Sequence, residues 1–424
     1  MFGSQDRDVG IRGIFMENPG EKRFMMAIDT LATFFRNYFH EEAEEVFSSP
    51  GRIELLGNHT DHNCGKALVG SVDLSILAVV GKSDQPYFVY KTDGYNEMKI
   101  ALDDLKFRPE ERGQSIGLIR GVLFYLKERG YALGGIRVVT TTNIFKGAGV
   151  SSSAAFENLI GRIISYCYND DAVSAFEIAK ISQLAETHYF GKACGLLDQM
   201  GSSYGGVNYI DFANNEKPFV RNLRFFFRKY DIILTYCLDS HTALTRHYLK
   251  IQKDMKDLSS FFGKNYLREV DESEYYARRK ELIERFSESV YLRGEHFFEE
   301  NRRVELALKA IENRDEDSLV RLIDQSGDSS YRKLKNCYVK NVKENLPQGI
   351  LLSKKINENG GTRVHGGGFA GTVLSLVRKE ESGVFLSEMQ RRFGKNNAKK
   401  VRLSKFGTRH IGHLGERKEK ECKE

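Results

Sequence analysis

Three short blocks of the chain concentrate residue types that can handle phosphate, a cation or a reactive hydroxyl. The first to stand out is Lys146-Gly-Ala-Gly-Val-Ser-Ser-Ser-Ala-Ala-Phe156, lying between a β-branched run (Ile136 to Thr142) and an amphipathic run (Phe156 to Ile164). Its glycines permit positive φ and a close approach of backbone to ligand. Its serines fall where the first helical N–H groups lack partners. Free N–H groups and the helix dipole together make an anion site, with phosphate the natural occupant. No Gly-Lys-Ser/Thr follows at the spacing of the common phosphate loop. A capped helix after a glycine-rich turn is the alternative reading.

The second block, Gly51-Arg52-Ile-Glu54-Leu-Leu-Gly57-Asn58-His59-Thr60-Asp61-His62-Asn63, crowds Arg, Asn, His and Asp into a turn after a strand. Such a cluster suits a polyhydroxylated ligand, whose hydroxyls each donate and accept. It is equally compatible with an Asx-rich turn that satisfies its own backbone. The third block, Arg363-Val-His365-Gly366-Gly367-Gly368-Phe369-Ala370-Gly371-Thr372, reads as a glycine-rich loop entering a strand, with a plain turn as the alternative.

The elements that must position these blocks follow from hydrophobic periodicity. The pattern predicts a helix over 23–48, then strands at 53–56, 67–80 (broken near Gly70) and 87–91. A helix over 116–127, a strand over 136–142, helices over 153–168 and 173–190, and a strand over 207–212 come next. A second segment opens with a strand at 230–237, continues in helices over 245–262, 274–286, 296–312 and 317–331, and ends with a strand at 371–377 and a helix over 380–393. A composition shift divides the chain into 1–216 and 217–424.

The 424 residues suffice for two or three cores, and 41% hydrophobic with 29% charged residues is ordinary globular composition. The net charge of +6 is dispersed, with no basic stripe and interleaved aromatics, so nucleic acid is not an expected partner. The mixed-charge run Glu416 to Glu424 reads as a solvated, frayed end. Six scattered cysteines without paired spacing argue against a zinc site or a disulfide framework and point to a reducing cytoplasm. Asp6, Arg7 and Asp8 precede no signal-like apolar core, and no apolar run reaches membrane-spanning length.

Taken in order, the Gly-Arg…Gly-x-His-Thr-Asp block, the Gly-x-Gly-x-Ser-Ser-Ser-Ala loop and the late Gly-Gly-Gly-Phe loop resemble the galactokinase branch of the GHMP small-molecule kinases, from about Pro50 to Val377. His296 to Val304 also resembles the helix preceding the family's C-terminal motif. The resemblance implies an α+β fold of two domains, the N-terminal one like ribosomal protein S5 domain 2 and the C-terminal one ferredoxin-like, with the active site in the cleft between them. It implies ATP and Mg²⁺ as cofactors, a small-molecule sugar as substrate, and a monomer or weak homo-oligomer.

Residue by residue, the resemblance assigns Gly147, Gly149, Ser151, Ser152, Ser153 and Ala154 to the nucleotide phosphates, with Gly367 and Gly368 closing that site. Ser153 and Glu186 match the metal ligands, Asp198 the base, and Arg52 the arginine that pairs with it. Asn58, His59, Asp61 and Tyr248 match the sugar contacts.

The chain departs from the branch pattern where Glu54 stands for Asn, Asn58 for Glu and His62 for Tyr. The change at 58 removes a charged acceptor on the sugar, worth about 1.5–3 kcal/mol if nothing compensates. The exchange raises the expectation that Glu54 restores a carboxylate to the sugar. Ala370 replaces a glycine, and Lys146 a small residue. The expected activity is therefore an ATP-dependent sugar-1-kinase, foremost on galactose. N-acetylgalactosamine, a uronic acid or arabinose are alternative substrates. The yeast sugar sensors of this branch lack part of the serine–alanine loop, whereas Ser151 to Ala155 is complete here.

Overall fold

The computed structural model describes residues 19–145, 147–192, 194–238, 245–339, 345–369 and 371–414. The expectations placed on Asp6 to Asp8, Lys146, Ala370, Cys422 and the 416–424 run lie outside the described residues.

In chain order the elements are α1 (Pro19–Phe39), β1 (Glu45–Leu56), β2 (Lys66–Ser83), β3 (Tyr87–Thr92), β4 (Met98–Ala101), α2 (Ser115–Glu128), β5 (Gly135–Thr142), α3 (Ser152–Tyr168), α4 (Ala175–Ala185), α5 (Leu197–Tyr204), β6 (Val207–Asp211) and β7 (Phe219–Leu223). Then come β8 (Tyr230–Tyr236), α6 (Thr245–Phe261), α7 (Glu272–Ala277), α8 (Arg279–Arg285), α9 (Glu288–Glu312), α10 (Glu316–Ser329), α11 (Asn345–Ile356), β9 (Gly361–His365), β10 (Thr372–Arg378), α12 (Ser382–Phe393), β11 (Ala398–Val401) and β12 (Arg409–His413).

The first helix stops at Phe39, short of the expected residue 48. Glu41, Glu42, Glu44 and Glu45 would have extended it with carboxylates at the negative end of the helix dipole. His40 instead takes a left-handed φ of 56° and the chain turns into β1. The expected helix over 274–286 is likewise interrupted, at Arg278, between α7 and α8.

An eight-stranded sheet has the order β12-β1-β2-β5-β3-β4, with β6 on β2 and β7 on β6. β2 runs unbroken through Gly70: residues 66–70 pair with β6 and residues 76–83 with β5, so the expected break is a change of partner. Alternation along the strands divides the core. Ala78, Val80 and Val138 face α2, α3 and α4, whereas Leu77, Val79 and Val139 face α1.

A four-stranded antiparallel sheet, β11-β8-β10-β9, forms the second layer. Ile232, Leu234, Leu374 and Leu376 pack on α9 and α10 together with Ile53 and Leu55 of β1, so one core joins the two sheets. Each such side chain contributes about 1.5–3 kcal/mol on burial. Ile233, Val373 and Val377 face α11 and α12 on the other side. The division expected after residue 216 falls within the β6–β7 hairpin of the large sheet. The chain crosses to the small sheet with β8 and returns with β12.

Candidate active site

The glycine–serine loop lies against the bulged strand β1. The β1–β2 register shifts between Pro50 and Arg52, and Arg52 N–H donates to Val150 O at 3.0 Å. A Cβ on Gly51 would stand 2.6 Å from Val150 Cγ2, so only glycine permits this approach. Gly147 and Gly149 take φ of 76° and 72°, as the turn requires. Ser151 N-caps α3 with a left-handed φ of 53°, and its side chain makes no cap hydrogen bond. The first N–H groups of α3 therefore carry no side-chain cap, beside the exposed Gly149 and Ser152. That is an anion site by construction.

The Ser151 hydroxyl instead donates to Asp198 Oδ2 at 2.5 Å. Asp198 lies in the first turn of α5, where the helix dipole favours a negative charge. From β1, Arg52 Nε donates to Asp198 Oδ1 at 2.8 Å, its Nη2 lies 2.6 Å from the same oxygen, and its Nη1 donates to Gly149 O at 2.8 Å. Desolvation pushes the Asp198 carboxyl up. Arg52 first, then Lys192 and the Ser151 hydroxyl, outweigh that and hold it below the ordinary carboxylate value. The result is an ionised carboxylate, 24% exposed, at the mouth of the glycine–serine loop.

Ser153 and Glu186 also meet: Ser153 Oγ donates to Glu186 Oε1 at 2.9 Å. Adjacent ligands around octahedral Mg²⁺, with bonds of about 2.0–2.1 Å, stand about 2.9 Å apart. The hydroxyl–carboxylate pair thus fits a magnesium ion, which habitually takes one or two protein oxygens and completes its shell with phosphate and water. Gln199 Nε2 fixes the other carboxylate oxygen of Glu186 at 2.8 Å.

Across the loop, the second block presents a polar wall. His59, at φ 58°, reaches Gly367 O through Nε2 at 3.0 Å and stacks on Tyr248 with ring centroids 6.1 Å apart. The Tyr248 hydroxyl donates to Gly368 O at 2.9 Å. Gly367 and Gly368 therefore touch the second block. From the small sheet, Thr372 meets the phosphate loop, its hydroxyl donating to Gly147 O at 2.5 Å. Asp61 packs against Gly195, where a Cβ would stand 1.7 Å from its Oδ2. Desolvation, followed by the nearby Asp198 and Glu54 carboxylates, pushes the Asp61 carboxyl up to about 7.

Asn58 is placed differently from the other candidates, because both ends of its amide are occupied. Its Nδ2 donates to Glu54 Oε1 at 3.0 Å and Gly366 O at 2.8 Å, and its Oδ1 accepts from Asn336 Nδ2 at 2.8 Å. Glu54 accepts from Arg363 Nη2 at 2.5 Å, and Arg363 is fully buried in β9. Glu54 Oε1 is thus already engaged, by Arg363 and Asn58. The start of the third block, expected as loop, is strand: Arg363 to His365 form β9, and His365 Nε2 accepts from Glu54 N–H at 3.1 Å.

Sequence reasoning missed Lys192, Arg363 and Glu300 as parts of this site. Glu300 of α9 accepts the Gly57 N–H at 2.9 Å and the Ser326 hydroxyl at 2.6 Å, anchoring the second block. The resemblance marks its helix, but no spacing marks that one carboxylate.

The galactokinase galactose-binding signature matches residues 33–82, and the GHMP kinases N terminal domain matches residues 117–206. The chain is 29% identical over 367 residues to the galactokinase of Glaesserella parasuis, covering 84% of this chain and 91% of that protein. It is 28% identical over 386 residues to the galactokinase of Limosilactobacillus reuteri, covering 88% and 93%. The chain is similar to the galactokinase branch of the GHMP kinases over most of its length. Its fold agrees with Lactococcus lactis galactokinase, solved with galactose, at TM-score 0.79 and 21% identity over 90% of this chain and 99% of that one. A mevalonate kinase matches at TM-score 0.60 and 16% identity over 85% and 99%. This is the α+β GHMP kinase fold. The galactokinase signature spans Arg52, Asn58, His59 and Asp61; the GHMP model spans the phosphate loop, Glu186 and Asp198. Among the described residues, no helix is long and apolar enough to cross a membrane.

Proposed function

We propose that this galactokinase-branch protein transfers the terminal phosphoryl group of ATP to the anomeric hydroxyl of galactose, giving ADP and galactose 1-phosphate. The observation that carries the reading is Asp198, held ionised by Arg52 and Ser151 at the uncapped start of α3. In this reading the α3 N-terminus and the 147–154 loop hold the phosphates. Asp198 takes the proton of the attacking hydroxyl, and Arg52 neutralises charge as the phosphoryl group moves. Ser153 and Glu186 would hold Mg²⁺, which bound there neutralises phosphate charge. His59, Asp61 and Tyr248 orient the sugar, and Gly366 to Gly368 back that wall.

A second reading, the same chemistry on a related sugar, is favoured by one observation: the amide of Asn58 is engaged inside the protein at both ends. The deciding experiment measures ADP release with ATP, Mg²⁺ and galactose, N-acetylgalactosamine, galacturonate or arabinose. The primary reading expects the highest kcat/KM with galactose. A preference for another sugar would transfer the proposal to that substrate, and no turnover with any sugar that binds would overturn the kinase reading.

A further inference from the structure

Lys192 occupies a place in the site that neither fold nor family assigns. Its Nζ lies 2.7 Å from Glu186 Oε1, the same oxygen that accepts the Ser153 hydroxyl. The two partners differ sharply in exposure: the Glu186 side chain is 1% exposed and that of Lys192 49%. The ammonium thus reaches inward from a solvent-facing stem. Its backbone is fixed where it stands, because Lys192 N–H donates to Glu186 O at 3.0 Å after the π-helical turn Glu186–Phe190. The lysine ammonium, paired directly with the Glu186 carboxylate, is a full cation. It therefore stands within electrostatic reach of both the proposed metal-binding carboxylate and the proposed base.

We infer that Lys192 is a phosphate-binding residue of the phosphoryl-transfer site, and that it competes with the divalent cation for Glu186 Oε1. The inference rests on the kinase reading above. An ammonium and a metal ion cannot both sit on one carboxylate oxygen at full strength, so arrival of the cation loosens the Lys192 pair. The flexible stem is then free to turn the ammonium to the nucleotide phosphates beside it, as a point charge. A plain surface ion pair would instead contribute little and touch neither nucleotide nor metal.

The test compares Lys192→Met and Lys192→Arg with the parent protein in three readouts. Mn²⁺ binding without nucleotide, followed by its paramagnetic resonance, is expected to tighten about fivefold or more in Lys192→Met. Affinity for ATP with Mg²⁺, by calorimetry, is expected to weaken about tenfold, and kcat to fall about 100-fold with sugar KM within threefold. Lys192→Arg is expected to recover most of the ATP affinity. Unchanged Mn²⁺ affinity or unchanged ATP affinity in Lys192→Met overturns the inference. A parent protein that turns over no sugar sinks the kinase reading instead, while the Mn²⁺ and ATP titrations still decide the role of Lys192.

Discussion

Arg52 and Asp198 are separated by 146 residues of chain, yet Arg52 Nε donates to Asp198 Oδ1 at 2.8 Å. The bulge in β1 aims the guanidinium, and the start of α5 aims the carboxylate. Replacing Asp198 by Asn keeps the shape and removes the proposed base. The expected result is a loss of about 10³-fold or more in kcat with ATP affinity retained. The pH profile offers a finer check. Ser151→Ala removes a hydrogen bond that favours the ionised carboxylate, so the Asp198 pKa rises and the acid limb of kcat moves to higher pH. An acid limb unmoved by Ser151→Ala would detach that hydroxyl from the base.

The exchange of Glu54 and Asn58 makes a second prediction, because the two side chains touch at 3.0 Å. Asn58→Glu alone sets a second buried carboxylate against Glu54 and against Gly366 O. It should destabilise the protein by about 3–5 kcal/mol in urea unfolding. Adding Glu54→Asn restores a donor–acceptor pair with the branch's own order, and the double variant should recover about 2 kcal/mol or more of that loss. Strict additivity of the two changes would show that the pair is not a unit.

That pair also marks what the sequence could and could not reveal. The loop, its helix α3 and the strand β5 before it were legible because glycine, serine and periodicity are local signals. Ser153, Glu186, Asp198 and Arg52 were legible through ordered motifs, and the fold brings them together. Asn58 was legible as an altered position but not as a buried hub, since its partners Gly366 and Asn336 are supplied by distant segments. β9 opens a block whose glycines signal a loop, and no local signal marks Arg363 as buried; only its ties to Glu54, Leu55 O and Val364 O make that burial tolerable. Lys192 carried no motif at all. Its position becomes informative only once Glu186 is seen to be buried behind it.

Asp61 predicts a pH-dependent stability. Its carboxyl titrates at about 7 in the fold and at about 3.9 in the unfolded chain, so the folded state holds the extra proton between those values. Stability therefore falls as pH rises from about 4 to about 7 and levels off above. Asp61→Asn has no such proton to lose. Its stability advantage over the parent should grow by about 1–2 kcal/mol across that window, less than the full shift implies because the side chain is partly exposed. Urea unfolding at pH 5 and pH 8 measures it. An advantage constant with pH would mean that Asp61 is ionised throughout.

Two glycines separate the proposed phosphate side of the site from the proposed sugar side. A Cβ on Gly147 would stand 2.4 Å from the Tyr236 ring, with the backbone at φ 76°, so Gly147→Ala must shift the loop away from the small sheet. A Cβ on Gly195 would run into the Asp61 carboxyl group, 1.7 Å from Oδ2 and 2.5 Å from Cγ, so Gly195→Ala must displace that side chain. The two variants should therefore fail on different substrates. Gly147→Ala is expected to raise the KM for ATP about tenfold or more and leave that for the sugar within threefold, and Gly195→Ala to do the reverse. Steady-state kinetics with each substrate varied in turn gives the answer. If both variants raised the same KM, the phosphate loop and the Asp61 wall could not be the separate halves of the site that their geometry makes them.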